Sequence, residues 1–321
     1  MLLDFGLIAA GLVLLFIGGE SLVRGSVAIA ERLGLSKLII GLVIVGFGTS
    51  TPELLVSVNA ALGGSPEIAL GNVVGSNIAN ALLIIGMAAL ILPISDWKRT
   101  AVREALVAGL VALVLFGLVQ GQVITRGEGI ALLVVLTVYL FASYWLERRE
   151  KALTVFERET EEFEDLPFKR AWLPPLVSLG GIALLVIGAD LLVDGSISIA
   201  RAFGVPDAVI GLSLVAVGTS LPELATAIVA AIRRHSDVVV GNVIGSNIFN
   251  VLAILGTTAV IQPIDVGARF RDIDTPVMLG ASCALLVLLF ATQRIGRLWG
   301  IGMLAVYAAY MIFLFRNGMG S

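Results

Sequence analysis

Two short segments place acidic side chains where a hydrophobic chain should tolerate them least. "GTSTPELLVSVNA" (48–60) and "GTSLPELATAIVA" (218–230) each lie inside a long apolar run, with Gly, Thr, Ser, Pro and Glu at matching places. Hydroxyls, a carboxylate and freed backbone carbonyls are hard oxygen donors, suited to Na+ or Ca2+ and not to soft metals. Pro52 and Pro222 lack an N–H and clash with the carbonyl four residues back. Each helix is therefore expected to break, leaving carbonyls near residues 45–48 without intrahelical partners. Such backbone is tolerated at membrane depth only when buried in protein or lining a polar cavity. Glu53 and Glu223 have no basic partner in their own or the following span. An unpaired charge at the bilayer centre costs at least about 2.5–3.5 kcal/mol, and two facing carboxylates cost more unless a cation lies between them.

The next spans add oxygen. In "GNVVGSNIAN" (71–80), Asn72, Ser76 and Asn80 recur every four residues and share one helical face; "GNVIGSNIFN" (241–250) repeats them as Asn242, Ser246 and Asn250. The pairs Gly71/Gly75 and Gly241/Gly245 have the small-xxx-small spacing that lets helices pack closely. For Asn72, Asn77, Asn242 and Asn247 a supporting role behind the ligands fits as well as plain packing. Glu20 and Arg24 are spaced to pair with each other. Asp190 and Asp194, at the matching places, lack such a neighbour; an outer cation path is one role for them and span-end packing the plainer one. His235 reads as a solvated loop residue.

These residues need a frame of membrane helices. Of 321 residues, 58% are hydrophobic and 14% charged, and apolar stretches of about 20 residues match a hydrocarbon core roughly 30 Å thick. Ten spans are expected, near 5–30, 38–62, 68–92, 101–120, 127–147, 173–200, 206–232, 238–262, 275–292 and 296–316. Continuous apolar runs exclude the alternating pattern of a β-barrel. The N-terminus lacks the basic start of a cleavable signal, so the first run is expected to stay as a span. Cys283 is the only cysteine, which excludes an internal disulfide and a cysteine metal cluster. Of the 21 Lys and Arg residues, 16 fall on the side that also holds the central linker and five on the other. The basic side stays cytoplasmic, so both termini are expected outside, in a cell membrane.

The chain is also written twice. Residues 38–86 align without a gap with 208–256, and 23 of 49 positions are identical. With five spans per half, the second half starts on the opposite side of the membrane from the first. The expected fold is thus an all-α integral membrane protein of ten helices in two inverted-topology five-helix repeats, with helices two and seven broken. Residues 1–147 form the first repeat, 148–172 a cytoplasmic linker and 173–321 the second repeat. The linker acids Glu157, Glu159, Glu161, Glu162, Glu164 and Asp165 lack calcium-loop spacing and read as a solvated connector.

The paired motifs "GTSTPE…GNVVGSNIAN" and "GTSLPE…GNVIGSNIFN" resemble the two α-repeats of the Ca2+/cation antiporter superfamily, in its prokaryotic Na+/Ca2+ exchanger branch. The resemblance covers essentially the whole chain. It implies Glu53 and Glu223 as the central carboxylates shared by Ca2+ and Na+. It also implies oxygens from Thr49, Ser50, Thr219 and Ser220, the carbonyls of Gly46 and Ala216, and Ser76, Ser246 and Asn80. In many relatives spans one and six slide across this site. Many Na+/Ca2+ exchangers carry Asp where this chain has Asn250, so the central cluster reads Glu–Asn–Glu–Asn. If that Asp is protonated when Na+ is bound, Asn changes little; if it is ionised, this chain is expected to bind only two Na+ or to favour a different coupling ion, with Asn250 weakening Na+ occupancy more than Ca2+ occupancy.

The implied function is exchange of Na+ for Ca2+ by alternating access, with Ca2+/H+ exchange on the same fold as the alternative. Proton-coupled relatives carry Glu after Asn in the second motif, where residues 77–80 here read "NIAN". A channel would need weak sites spread along a path, and an intramembrane hydrolase would need a nucleophile–base pair that the spans lack. No cofactor, nucleic acid or protein partner is implied; the partners are the lipid bilayer and the two ions.

Overall fold

In hydrocarbon a backbone must satisfy its own N–H and C=O groups, so apolar runs of this length become helices. A computed structural model of the chain describes residues 2–33, 40–64, 66–95, 97, 99–154, 170, 172–203, 216–292 and 294–318. Among them, eight helices are long and apolar enough to cross a membrane, and Gly41–Thr49 with Thr51–Leu62 forms a ninth span bent by 48°. These are nine of the ten expected spans. Of the tenth, expected near 206–232, the helices Ala216–Thr219 and Leu221–Ile232 are described; residues 206–215 lie outside the described residues.

Both expected breaks are present. Ser50 (φ −80°, ψ 11°) and Ser220 (φ −89°, ψ 6°) leave helical geometry, and Pro52 and Pro222 sit in the first turn of the helix that follows. There a missing N–H leaves no hydrogen bond unmade, so each proline starts a new helix.

Burial orders the helices. The apolar window of the Ser236–Ile261 span is wholly buried, whereas that of Arg297–Leu314 is 11% buried. The second motif helix is thus the molecular axis and the last helix lies at the rim. The broken second span packs directly on that axis: a Cβ at Gly245 would sit 2.2 Å from the Leu42 carbonyl oxygen. Leu2–Leu33 and Leu173–Ala202 run antiparallel, glycine against glycine. Gly11 faces Gly188, Gly18 faces Gly181, and Gly25 faces Pro174 and Ser178. The glycines recur every seven residues on both helices, which holds one seam together along the pair.

Short strands missed by the sequence reading join the halves at their loops. Ile94–Ser95 pairs antiparallel with Arg294–Ile295, and Val123–Ile124 with Ile264–Asp265. Each pair joins the loop after the third span of one half to the loop between the last two spans of the other. Inverted halves bring those loops to the same face. The helix Arg126–Thr154 runs past the expected end of its span, into the stretch expected as linker. "LERREKALT" is rich in good helix formers, so it continues the helix. The linker acids 157–165 lie outside the described residues.

Two buried acids outside the motifs pin the outer helices. Glu104 accepts bonds from Arg103 (2.9 and 3.0 Å) and the Tyr139 hydroxyl (2.7 Å). Asp274 accepts them from Arg269 (3.1 Å) and the Tyr310 hydroxyl (3.0 Å). Glu104 and Asp274 lie 170 positions apart, the spacing of the repeat.

The glycine seam gives a matched pair of substitutions. A Cβ at Gly181 would lie 2.6 Å from the Leu22 amide nitrogen, whereas at Gly180 it meets nothing within 4 Å. Gly181→Ala should destabilise by about 1–3 kcal/mol through overpacking and Gly180→Ala should not; melting temperatures in detergent compare the two.

Candidate cation site

The first half of each broken span ends on its serine and the second half begins there. The Ser50 N–H donates to the Gly46 carbonyl (3.1 Å), and the Leu54 N–H to the Ser50 carbonyl (3.1 Å). Contrary to the expectation drawn from Pro52, the Gly46 carbonyl therefore keeps an intrahelical partner. The proline lies two residues beyond the break, so the preceding turn closes before it. Gly46 O also accepts the Ser246 hydroxyl (3.3 Å), and Val45 O accepts the Thr49 hydroxyl (3.0 Å). Ala216 opens the corresponding turn of the second half.

The breaks then meet across the pseudo-two-fold axis. Ser50 Oγ donates to Glu223 Oε1 (2.9 Å), while Ser220 Oγ lies 3.2 Å from both Glu53 Oε1 and Ser76 Oγ. Each glutamate is thus held by the serine at the other half's break. Asn72 Nδ2 donates to the Glu53 carbonyl (3.1 Å) and Ser57 Oγ (3.0 Å), and Asn242 Nδ2 to the Glu223 carbonyl (3.2 Å). Thr219 Oγ1 donates to Asn72 Oδ1 (3.4 Å), and Thr49 Oγ1 lies 3.3 Å from Asn242 Oδ1. Asn72 and Asn242 thus fix the glutamate backbone.

Asn80 and Asn250 sit in widened π-helical turns, Ala79–Ile84 and Asn250–Leu255. Such turns interrupt helices at functional sites, and the apolar sequence around them carries no sign of the widening. Asn80 Nδ2 donates to Asn247 Oδ1 and Asn250 Nδ2 to Asn77 Oδ1, both at 3.0 Å. Four buried carboxylate and amide oxygens then have no hydrogen-bond partner among the described residues: Glu53 Oε2, Glu223 Oε2, Asn80 Oδ1 and Asn250 Oδ1. Two carboxylate and two amide oxygens match the hard ligand set of Ca2+ or Na+. All the sequence-predicted ligand residues lie on the elements that meet here.

The other buried acids show what these glutamates lack. Glu104 and Asp274 each have an arginine and a tyrosine, whereas Glu53 and Glu223 make no ion pair among the described residues and bond through serines. Glu20 pairs with Arg24 as expected and also with Arg233, at the end of Leu221–Ile232 in the other half. Asp190 and Asp194 are exposed on Leu173–Ala202, away from the glutamates' bonds. That helix also covers both breaks. A Cβ at Gly48 would meet Ile182 Cδ1 at 2.5 Å, and one at Gly218 would meet Val193 Cγ2 at 2.3 Å.

The family model of the sodium/calcium exchanger protein matches residues 3–145 and 173–316. This chain belongs to that family. The exchanger is 38% identical over 317 residues to CaxA of Alkalimonas amylolytica, covering 97% of this chain and 98% of CaxA. It is 32% identical to the sodium/calcium exchanger MaX1 of Methanosarcina acetivorans, again over 97% and 98%. Among solved structures it is similar to the sodium–calcium exchanger NCX_Mj soaked with Na+ and Sr2+, with TM-score 0.82 and 31% identity over 97% of this chain and 98% of that one. The exchanger is therefore a multi-pass membrane transporter of the cation/Ca2+ exchanger family, not an enzyme.

Asn72→Leu removes the donor used by the Glu53 carbonyl and Ser57. We expect a loss of about 1–3 kcal/mol, the usual result of leaving buried polar groups unpaired, read as a lower melting temperature of the purified exchanger.

Proposed function

We propose that this exchanger couples Na+ movement to Ca2+ movement in opposite directions through one mid-membrane site. The observation that carries the proposal is the pair of facing glutamates without basic partners among the described residues, together with two amide oxygens that have no hydrogen-bond partner there. Glu53 and Glu223 are the central ligands. Thr49, Ser50, Ser76, Asn80, Thr219, Ser220, Ser246 and Asn250 surround them, with the carbonyls of Gly46 and Ala216. The similarity to the sodium–calcium exchangers NCX_Mj and MaX1 supports this choice of ions. Ca2+ neutralises the two carboxylates (+2 − 2), so the loaded site can cross a low-dielectric region that the bare site cannot. Obligatory exchange follows, because reorientation then requires an ion.

Alternating access is assigned to the paired helices Leu2–Leu33 and Leu173–Ala202, sliding over the breaks. Their glycine seam favours movement as one body, and Ile182 and Val193 are the side chains that would ride over Gly48 and Gly218. Both termini lie outside the cell and the 148–172 linker in the cytoplasm, on the strength of the basic-residue count. Residues 1–147 and 173–321 work as the two inverted repeats.

Proton coupling is the competing reading, favoured by the same two carboxylates, each able to carry one proton. Radiolabelled Ca2+ uptake into proteoliposomes separates the two. We expect uptake under an outward Na+ gradient; uptake driven by an outward H+ gradient alone would transfer the assignment to Ca2+/H+ exchange. Glu53→Gln and Glu223→Gln should each abolish uptake, and near-normal transport in either would refute the site. Saturating Ca2+, at about 100 times Kd, should stabilise the wild type by about 2.7 kcal/mol. The glutamine variants should lose that stabilisation, which thermal melts with and without Ca2+ measure.

A further inference from the structure

A carboxamide presents a cation with either an oxygen or an NH2 group, and the two differ by a half-turn about one bond. Asn250 therefore serves as a ligand only if something fixes its orientation. Asn77 does so through a chain of bonds with a defined direction. Its Nδ2 donates to the Asn247 main-chain carbonyl (3.2 Å), a group that can only accept. That bond turns Asn77 Oδ1 the other way, where it receives Asn250 Nδ2 (3.0 Å) and leaves Asn250 Oδ1 buried and free. In the other half, Asn247 Oδ1 takes Asn80 Nδ2 and leaves Asn80 Oδ1 free. Asn77 and Asn247 are 2% and 5% exposed, so water does not compete for these bonds.

We propose that Asn77 and Asn247 are positioning residues that set the polarity of the ion site, each holding the other half's ligand amide with its oxygen toward the cation. The inference rests on the cation site proposed above. Without Asn77, Asn250 is free to turn its NH2 toward the ion, which repels the ion and removes a ligand oxygen. Asn77 thus acts on the ion only through Asn250, and that dependence separates positioning from a role in packing.

The test is a double-mutant cycle on Ca2+ affinity, measured by titration calorimetry with Ca2+ alone on the full-length protein in detergent. Asn77→Leu is expected to weaken Ca2+ binding about tenfold or more, as loss of a group that orients a ligand does. In an Asn250→Ala background, with no amide left to orient, the same substitution should change affinity by less than about twofold. Should Asn77→Leu fail to fold, Asn77→Ala makes the same comparison, and Asn247→Leu against Asn80→Ala repeats it in the other half. An equal loss in both backgrounds, or no loss when Asn250 is present, overturns the proposal. Glu53→Gln, run alongside, tells the two readings apart. If it leaves Ca2+ affinity intact, the site itself is wrong and the inference falls with it. If it abolishes binding while the cycle is additive, the site stands and only the positioning role is lost.

Discussion

Two carboxyl groups held toward each other out of water are the constraint on which the rest of the molecule depends. Removing a charge from water is expensive, and a second like charge nearby adds to the expense. Glu104 and Asp274 show how the same fold handles a buried acid that is purely structural, with an arginine and a tyrosine on each. At Glu53 and Glu223 those partners are replaced by serine hydroxyls. A hydroxyl steadies a carboxylate without cancelling its charge, so in the proposed function the balance comes from an ion that enters and leaves. Binding strength and the need to exchange thus share one cause.

Such a site also needs a frame that keeps the two glutamates from drifting apart. Both lie next to helix breaks, which are weak points, and each break is held by the opposite half. The serines reach across, the Gly46 carbonyl takes Ser246, and the Leu42 backbone lies against Gly245. The two strand pairs tie the halves again at the loops. The Leu2–Leu33 and Leu173–Ala202 pair is different. It is tightly joined along its own glycine seam, yet it lies over the breaks through the side chains Ile182 and Val193. Glu20 also ties the pair to Arg233 at the end of Leu221–Ile232.

Much of this was legible in the sequence because membrane physics leaves few alternatives. Apolar runs of span length had to be helices, and an odd number of spans per half forced the halves to be inverted. Proline beside an acid at mid-span had to mark a break. The details that escaped were those that depend on contacts between distant residues. Nothing local announces that Gly46 O would be satisfied by Ser50 and Ser246, or that Tyr139 and Tyr310 would meet buried acids on neighbouring helices. The π-helical turns at Asn80 and Asn250 arise in runs such as "ANALLI" and "NVLAIL", whose composition is that of any membrane helix. Glu20 shows the same limit: its i, i+4 partner was readable, but Arg233, 213 positions away, was not.

The structure also bears on the one place where this chain departs from the motif of many Na+/Ca2+ exchangers. Asn250 donates a hydrogen bond to Asn77, whose own orientation is fixed by the Asn247 carbonyl. An ionised aspartate at position 250 has no hydrogen to give, and its oxygen would face the oxygen of Asn77. The surroundings of position 250 are therefore built for a donor, which Asn supplies at every pH. Asn77 and Asn250 lie in different halves, so the bond that makes this choice also closes the pseudo-two-fold arrangement. In the proposed site the charge is accordingly carried by Glu53 and Glu223 alone, and the amides contribute oriented dipoles. Ion selectivity then rests on how well two charges and a fixed set of oxygens fit each cation, not on a third charge that comes and goes.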